Sequence, residues 1–157
     1  MMSAEVFNSR VATLLEHPLF SGRYLNLSFL PGWISLIECL VASLEALPDG
    51  TSLRCSQLKV KWGRMRLHLY LDTGDLQDDL FHPADGLWVL PRPEGELDQR
   101  AEALISQAEE AAASLCHLCG QPASIRSRGM SPTCEEHSET DSKSMLEGYN
   151  TYFTGYG

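Results

Sequence analysis

Two short pairs of metal-binding residues near the C-terminal end constrain this chain more than any other feature. The first pair is Cys116 and Cys119, the second is Cys134 and His137, and fourteen residues separate the pairs. A two-residue gap lets both ligands of a pair reach one ion, at a metal–sulfur distance of about 2.3 Å. Gly120 suits the tight turn after the second ligand. Because three thiolates and one imidazole complete a tetrahedral site, the spacing predicts a structural Zn²⁺ site at these four residues.

This predicted site is closed, which bears on catalysis. Four protein ligands leave no coordination position for a substrate water, so hydrolytic zinc chemistry is not expected. Nucleotide deaminases carry His-x-Glu before their Pro-Cys-x-x-Cys segment, whereas here the only such triplet, His137-Ser138-Glu139, follows the cysteines. His117 lies inside the first pair and cannot readily point at the same ion, so we expect an exposed polar residue there. We therefore expect that the protein is not an enzyme and has no catalytic residues.

The composition is typical of a cytoplasmic chain with a protein partner. The chain has 5 cysteines, an odd number, and no basic start followed by an apolar core, so we expect reduced thiols rather than a disulfide framework. No run of about 18 apolar residues predicts a membrane-spanning helix. The net charge of −9 repels a phosphate backbone at long range and favours association with a basic protein surface.

Hydrophobic periodicity predicts three helices. The first spans residues 3–16 and starts at a Ser3 cap, the second spans 33–47, and the third spans 94–115 and leads directly into the first cysteine pair. The apolar positions expected to face the core are Val6, Val11, Leu14 and Leu15 in the first helix, Ile37, Leu40, Val41 and Leu44 in the second, and Leu97, Ala101, Leu104, Ala108, Ala111 and Leu115 in the third.

A strand pair follows the second helix. Apolar and polar residues alternate on both sides of Gly63-Arg64, which predicts a hairpin that turns at this dipeptide. The residues expected on the buried face are Leu58, Val60, Trp62, Leu67, Leu69 and Leu71, and those expected on the wet face are Lys59, Lys61, Arg66, His68 and Tyr70. Residues 18–32 are predicted to form a loop, 72–86 an acidic loop, and 86–90 a third strand.

Together these elements predict an α+β protein in which helices pack on a small antiparallel sheet, with a zinc-ribbon-like knuckle near the C-terminus. We expect a core domain over residues 1–115, the knuckle over 116–137, and a tail over 138–157 that is flexible or docked at the periphery. The spaced aromatic residues of this polar tail also allow an interpretation as a partner-binding segment.

Three motifs in this order resemble those of a family of small bacterial and phage-encoded proteins. Members carry Gly-Trp with an apolar helix, a Lys-Phe-Gly-x-Leu-Arg-type hairpin, and Cys-x-x-Cys-Gly-x-Pro followed by Cys-x-x-His. The matching segments are Gly32-Trp33 with Leu36-Ile37, KVKWGRMR at 59–66, CHLCGQP at 116–122 and CEEH at 134–137. Trp62 replaces the usual Phe, Met65 replaces Leu, and the aromatic residue that commonly precedes the third ligand is missing. The resemblance implies an α+β domain with an attached zinc knuckle, and it implies no activity.

Two functions are consistent with the sequence. The first is a protein-binding module, such as an immunity protein or a phage-encoded inhibitor, in which Asp75, Asp78 and Asp79 of the acidic loop speed association with a basic partner. The alternative is a nucleic-acid-binding or regulatory protein that uses a basic hairpin. Its candidate residues are Lys59, Lys61, Arg64 and Arg66, with Arg126 and Arg128 nearby and His68 and Tyr70 available for stacking. The same charges are also typical of the solvated face of a strand pair.

Overall fold

The computed structural model describes residues 1–22, 24–72, 81–82, 87–88, 93–124, 131–139 and 141–154, with the backbone alone described at 81–82 and 87–88. In chain order the elements are α1 (Ala4–Leu15), β1 (Asn26–Ser28), α2 (Ile34–Glu45), β2 (Leu53–Lys61), β3 (Arg64–Leu71), β4 (Phe81–His82), β5 (Leu87–Trp88), α3 (Gly95–Ala112), α4 (Ser142–Met145) and β6 (Tyr152–Thr154). Short 3₁₀ turns lie at Pro18–Phe20, Pro31–Trp33, Gly50–Ser52 and Glu135–His137.

The main sheet has the strand order β3-β2-β1-β6. β2 pairs antiparallel with β3 and β6 pairs antiparallel with β1, while β1 runs parallel to β2. The α+β fold is thus confirmed, with one parallel pairing in the sheet. β5 falls within the predicted third strand at 86–90, but it pairs with β4 in a separate two-stranded sheet rather than with the hairpin.

The helices agree with the predicted periodicity, with local shifts. Ser3 caps α1 by accepting a hydrogen bond from the Val6 backbone N–H, as predicted. The prediction that Val6 is buried was wrong, because its side chain is 49% exposed and Phe7 takes the core position instead. All four predicted core residues of α2 are buried. In α3 two of the predicted core positions are displaced by one residue. Ile105 is buried instead of Leu104, and Ala112 is buried instead of Ala111.

The hairpin departs from a simple alternation at two places. A register shift between Cys55 and Gln57 of β2 lets residues on both sides of the bulge face the core. The turn lies at Trp62-Gly63, one residue before the predicted position, so the prediction of a buried Trp62 was wrong: its side chain is 75% exposed. Tyr70, predicted on the wet face, is buried, because the segment that includes Gly22 covers the outer face of the sheet there.

The remaining strands lie in segments predicted to be loop or tail. β1 lies within residues 18–32, and β6 lies within the tail, where it forms the edge of the sheet next to β1. The tail also contacts α1, since Asn8 Nδ2 donates to the Gly148 carbonyl at 2.8 Å and the Asn150 backbone N–H donates to Asn8 Oδ1 at 2.7 Å. Tyr149 adds a further contact, since its hydroxyl donates to the Met2 carbonyl and its ring packs on Phe7, so the described part of the tail is joined to the core through β1, Asn8 and Tyr149.

Candidate metal centre

The structure brings the four predicted metal ligands together. One ligand atom from each of Cys116, Cys119, Cys134 and His137 lies within 4.8 Å of the others. The separation is 3.7 Å between Sγ of Cys119 and Sγ of Cys134, 3.7 Å between Sγ of Cys116 and Nδ1 of His137, and 3.2 Å between Sγ of Cys134 and the same Nδ1. These residues thus form a cluster that can bind a metal ion.

Two of these three separations match a tetrahedral zinc ion, and the third, 3.2 Å between Cys134 and His137, is shorter. Bonds of about 2.3 Å to sulfur and about 2.05 Å to nitrogen place tetrahedral ligands about 3.8 Å apart for two sulfurs and about 3.6 Å apart for sulfur and nitrogen. The 3.7 Å between the Cys119 and Cys134 sulfurs is close to the first value and far beyond the S–S bond length of about 2.05 Å. All five cysteines of the chain are free thiols. The donor set and its spacing therefore suit a zinc ion.

Backbone hydrogen bonds build the first half of the site directly after α3. The chain turns back on itself, so that the Cys116 N–H donates to the Gln121 carbonyl at 2.7 Å and the Gly120 N–H donates to the Cys116 carbonyl at 2.8 Å. Gly120 adopts a φ of 79°, a left-handed conformation that glycine reaches without steric cost. This tight turn points both sulfurs of the first pair to the same side.

The second half of the site is short and tied to the first by the backbone. The His137 N–H donates to the Cys134 carbonyl at 3.1 Å, which closes a 3₁₀ turn and brings these two ligands together. Across the halves, the His117 N–H donates to the Pro132 carbonyl at 3.0 Å, and the Ser124 N–H donates to the Thr133 carbonyl at 3.1 Å. We call residues 114–124 and 131–139, joined in this way, the clasp.

The thiols of the first pair differ in acidity. Burial raises the pKa of Cys116. Hydrogen bonds from backbone N–H groups, first that of Cys134, and from the His137 side chain together lower it by more, so that the pKa falls to about 6. For Cys119, burial raises the pKa, the sulfurs of Cys116 and Cys134 add to this rise, and the value reaches about 11 despite a hydrogen bond from the Gln121 N–H. Since metal binding requires thiolates, binding releases the proton of Cys119 at neutral pH.

The clasp is docked on the core through Gly32 and Trp33. The Gly32 N–H donates to the His117 carbonyl at 2.9 Å, and a Cβ added at Gly32 would lie 2.1 Å from the Cys116 carbonyl oxygen and 2.8 Å from the Gly120 nitrogen. Trp33 is fully buried and donates from Nε1 to the Leu115 carbonyl at 3.2 Å. Sequence reasoning missed this contact, although the Gly-Trp and Cys-x-x-Cys-Gly motifs of the family resemblance are the two segments that meet here.

The structure describes some of the other predicted site residues and leaves five of them outside the described part of the chain. The hairpin cations lie together in directly opposed pairs, Lys59 with Arg66 and Lys61 with Arg64. His117 was expected to be exposed but is half-buried, and its pKa is lowered by burial and by the charge of His137; it is not part of the ligand cluster. The candidate residues outside the described part of the chain are Asp75, Asp78, Asp79, Arg126 and Arg128.

The structure alters which ring-bearing residues of the hairpin are available for stacking on a nucleic-acid base. His68 is exposed on β3, while Tyr70 is buried and thus withdrawn from any ligand on the hairpin. Trp62, which sequence reasoning placed in the core, is instead the exposed aromatic residue of this hairpin. The signal for its position was the following Gly63, which favours a turn at Trp62-Gly63 as well as at the predicted dipeptide.

Comparison with known proteins adds no relative. No protein-family model, no curated protein and no solved structure matches the chain.

Among the described helices, none has the length and apolar character needed to cross a membrane. The fold and the ligand cluster define the chain as an α+β protein with a Cys₃His cluster that can bind a metal ion.

Proposed function

We propose that this protein is a non-catalytic, protein-binding module whose Cys₃His cluster holds a structural zinc ion. The observation that supports this most is the closed ligand set, because four ligands from one chain complete a tetrahedral shell and leave no position for a substrate. Thiolate and imidazole ligands in a tetrahedral arrangement favour zinc over hard cations such as magnesium or calcium. When bound, the ion supplies binding energy that stabilises the folded clasp.

The proposed partner is a protein with a basic surface. The net charge of −9 favours such a partner over a polyanion at long range, and it speeds association through electrostatic steering. The small size of the chain and its excess of acidic residues support a role as an immunity protein or as an inhibitor encoded against a bacterial or phage system. We place this role in the cytoplasm, where reducing conditions keep the three thiols available to the metal.

Capture from a bacterial lysate tests the proposed partner class. With the tagged, zinc-loaded protein as bait, we expect a stoichiometric protein that is retained after nuclease treatment and released by high salt, because attraction between surface charges is screened. Capture that disappears after nuclease treatment would contradict a protein partner. Failure of the purified protein to take up one zinc ion per chain would contradict the structural-zinc half of the proposal independently.

The acidic loop is expected to contribute to that association. Replacing Asp75, Asp78 and Asp79 with Asn should slow association with the captured partner by about tenfold at low salt and flatten its salt dependence, because steering depends on local charge. The measurement is the association rate at two salt concentrations. A control with the same change in net charge replaces three exposed acids elsewhere, Glu5, Glu16 and Glu147, with Gln. Equal rates for both triple variants would remove the loop from the proposed binding surface.

A further inference from the structure

The tip of the β2–β3 hairpin holds a tryptophan in an unfavourable conformation. Trp62 has a φ of 55° and Gly63 has a φ of 75°, the left-handed conformations of both central residues of a type I′ turn. Asn-Gly is the preferred sequence of such a turn, whereas a bulky residue in the left-handed region carries a steric cost. The Trp62 side chain is 75% exposed, so burial does not compensate for this cost. Strained residues cluster at functional sites, so a strained and solvent-exposed aromatic residue is a candidate binding residue.

The flanking charges are also unfavourable for the isolated fold. Lys61 is directly opposite Arg64 and Lys59 is directly opposite Arg66. Like charges at directly opposed positions repel, since their Cβ atoms are only about 5 Å apart. The segment from Lys59 to Arg66 contains no acidic residue, and none of these four cations takes part in a salt bridge with a residue that the structure describes. On the α3 side, Glu109 interacts with Arg66, and Arg64 and Arg66 line one groove together with Glu109 and Glu110.

All four cations lie on one side of the hairpin. Leu58, Met65 and Leu67 point into the core, so the alternating residues Lys59, Lys61, Arg64 and Arg66 point to the opposite face. The next opposed pair on the face of the cations is Gln57 with the exposed His68. We call the four cations together with Trp62 the basic ribbon. It combines a band of positive charge with a flat aromatic ring at one end.

We infer that the basic ribbon binds single-stranded nucleic acid, with phosphates on the four cations and a base stacked on Trp62. Phosphates remove the repulsion between the opposed cations, and an exposed indole offers a stacking surface that every base can use. A protein ligand is less well matched, because lysine is depleted at protein interfaces whereas lysine-rich short segments are typical of nucleic-acid patches. A membrane is less well matched, because a single exposed apolar side chain provides little area for insertion.

The acidity of the rest of the chain does not prevent this contact. At an ionic strength of about 0.1 M, charges more than about 10 Å away are largely screened, so a strand at the hairpin experiences mainly the nearby cations. The net charge of −9 slows the approach of the strand and limits affinity at long range. This binding site is separate from the proposed protein partner, and either can exist without the other.

Fluorescence anisotropy with a labelled oligo(dT) of about 20 nucleotides tests the inference on the full, zinc-loaded chain. We expect saturable binding that weakens roughly 20- to 50-fold between about 50 and about 200 mM salt, which corresponds to three or four neutralised phosphates on a single strand. Replacing Lys59 and Lys61 with Gln should weaken binding and reduce the slope of log affinity against log salt by about 1.4. Replacing the exposed Lys143 of α4 with Gln, a single-charge control outside the basic ribbon, should change neither.

Trp62→Asn separates binding from folding. Asparagine is well suited to the first position of a type I′ turn, so we expect the thermal midpoint to be unchanged or to rise by about 2 °C. Loss of base stacking should weaken oligo(dT) binding at least about fivefold in the same variant. A destabilised variant would contradict the assignment of strain to Trp62.

The remaining outcomes decide the class of ligand. Absence of oligo(dT) binding at low salt, or binding that is unchanged in Trp62→Asn, would overturn the inference. Tighter binding to a duplex of the same length would overturn the stacking role. Binding to anionic lipid vesicles without binding to oligo(dT) would assign the basic ribbon to a membrane surface and would likewise overturn it.

Discussion

Cys119→Ser is expected to abolish stoichiometric zinc binding and to lower the thermal midpoint by about 6–12 °C, the shift that a loss of about 3 kcal/mol produces in a chain of this size. A serine hydroxyl stays protonated at neutral pH and cannot replace a thiolate as a zinc ligand. The two halves of the clasp would then be joined chiefly by the His117–Pro132 and Ser124–Thr133 hydrogen bonds. Because binding energy at a structural site is folding energy, loss of the ion destabilises the clasp directly.

The measurement combines metal analysis of the purified variant with thermal unfolding followed by circular dichroism. Cys39→Ser is a matched control, because Cys39 is an exposed free thiol outside the cluster, and it should keep one zinc ion and the wild-type midpoint. The helices and the hairpin have apolar faces of their own, so part of the helical signal should persist in Cys119→Ser. Stoichiometric zinc and an unchanged midpoint in Cys119→Ser would contradict a structural Cys₃His site.

The features that could be predicted from sequence are those with a local cause. The paired spacing of Cys116 and Cys119 places two sulfurs on one tight turn whatever the rest of the chain does, so the ligand cluster follows from a few residues. The buried face of α2 was likewise predictable, since its apolar residues repeat with the helical period and no competing face exists.

Features set by distant segments could not be predicted in this way. β1 and β6 are three residues long each, and their pairing joins Leu27 to Phe153 across most of the chain, so neither strand has a periodic pattern of useful length. Tyr70 looked exposed by alternation, but its burial depends on the approach of Gly22 from another part of the chain. Trp62 was misplaced for a local reason, because moving the turn by one residue transfers a side chain from the sheet to the hairpin tip.

The docking of the clasp through Gly32 leads to a second large expected effect. Gly32→Ala would place a Cβ 2.1 Å from the Cys116 carbonyl oxygen, 2.6 Å from the His117 carbonyl carbon and 2.8 Å from the Gly120 nitrogen. All three are backbone atoms, so no side-chain rotation can relieve the overlap. The clasp must move away, which breaks the Gly32–His117 hydrogen bond and weakens that from Trp33 to Leu115. We expect a loss of about 3 kcal/mol in the free energy of unfolding, from the overlap and the lost hydrogen bonds together.

Zinc content distinguishes this effect from that of Cys119→Ser. Gly32→Ala leaves all four ligands in place, so the variant should retain one zinc ion while chemical denaturation shows the reduced stability. Gly95→Ala is the matched control, because Gly95 has a φ of 63° with nothing within 4 Å of an added Cβ, and only conformational strain of about 1 kcal/mol is expected. If Gly32→Ala were no less stable than Gly95→Ala, that result would contradict the close contact between Gly32 and the backbone of the clasp. Reduced stability of Gly32→Ala with one zinc ion retained would mean that the metal organises the clasp, while Gly32 and Trp33 attach the clasp to the core.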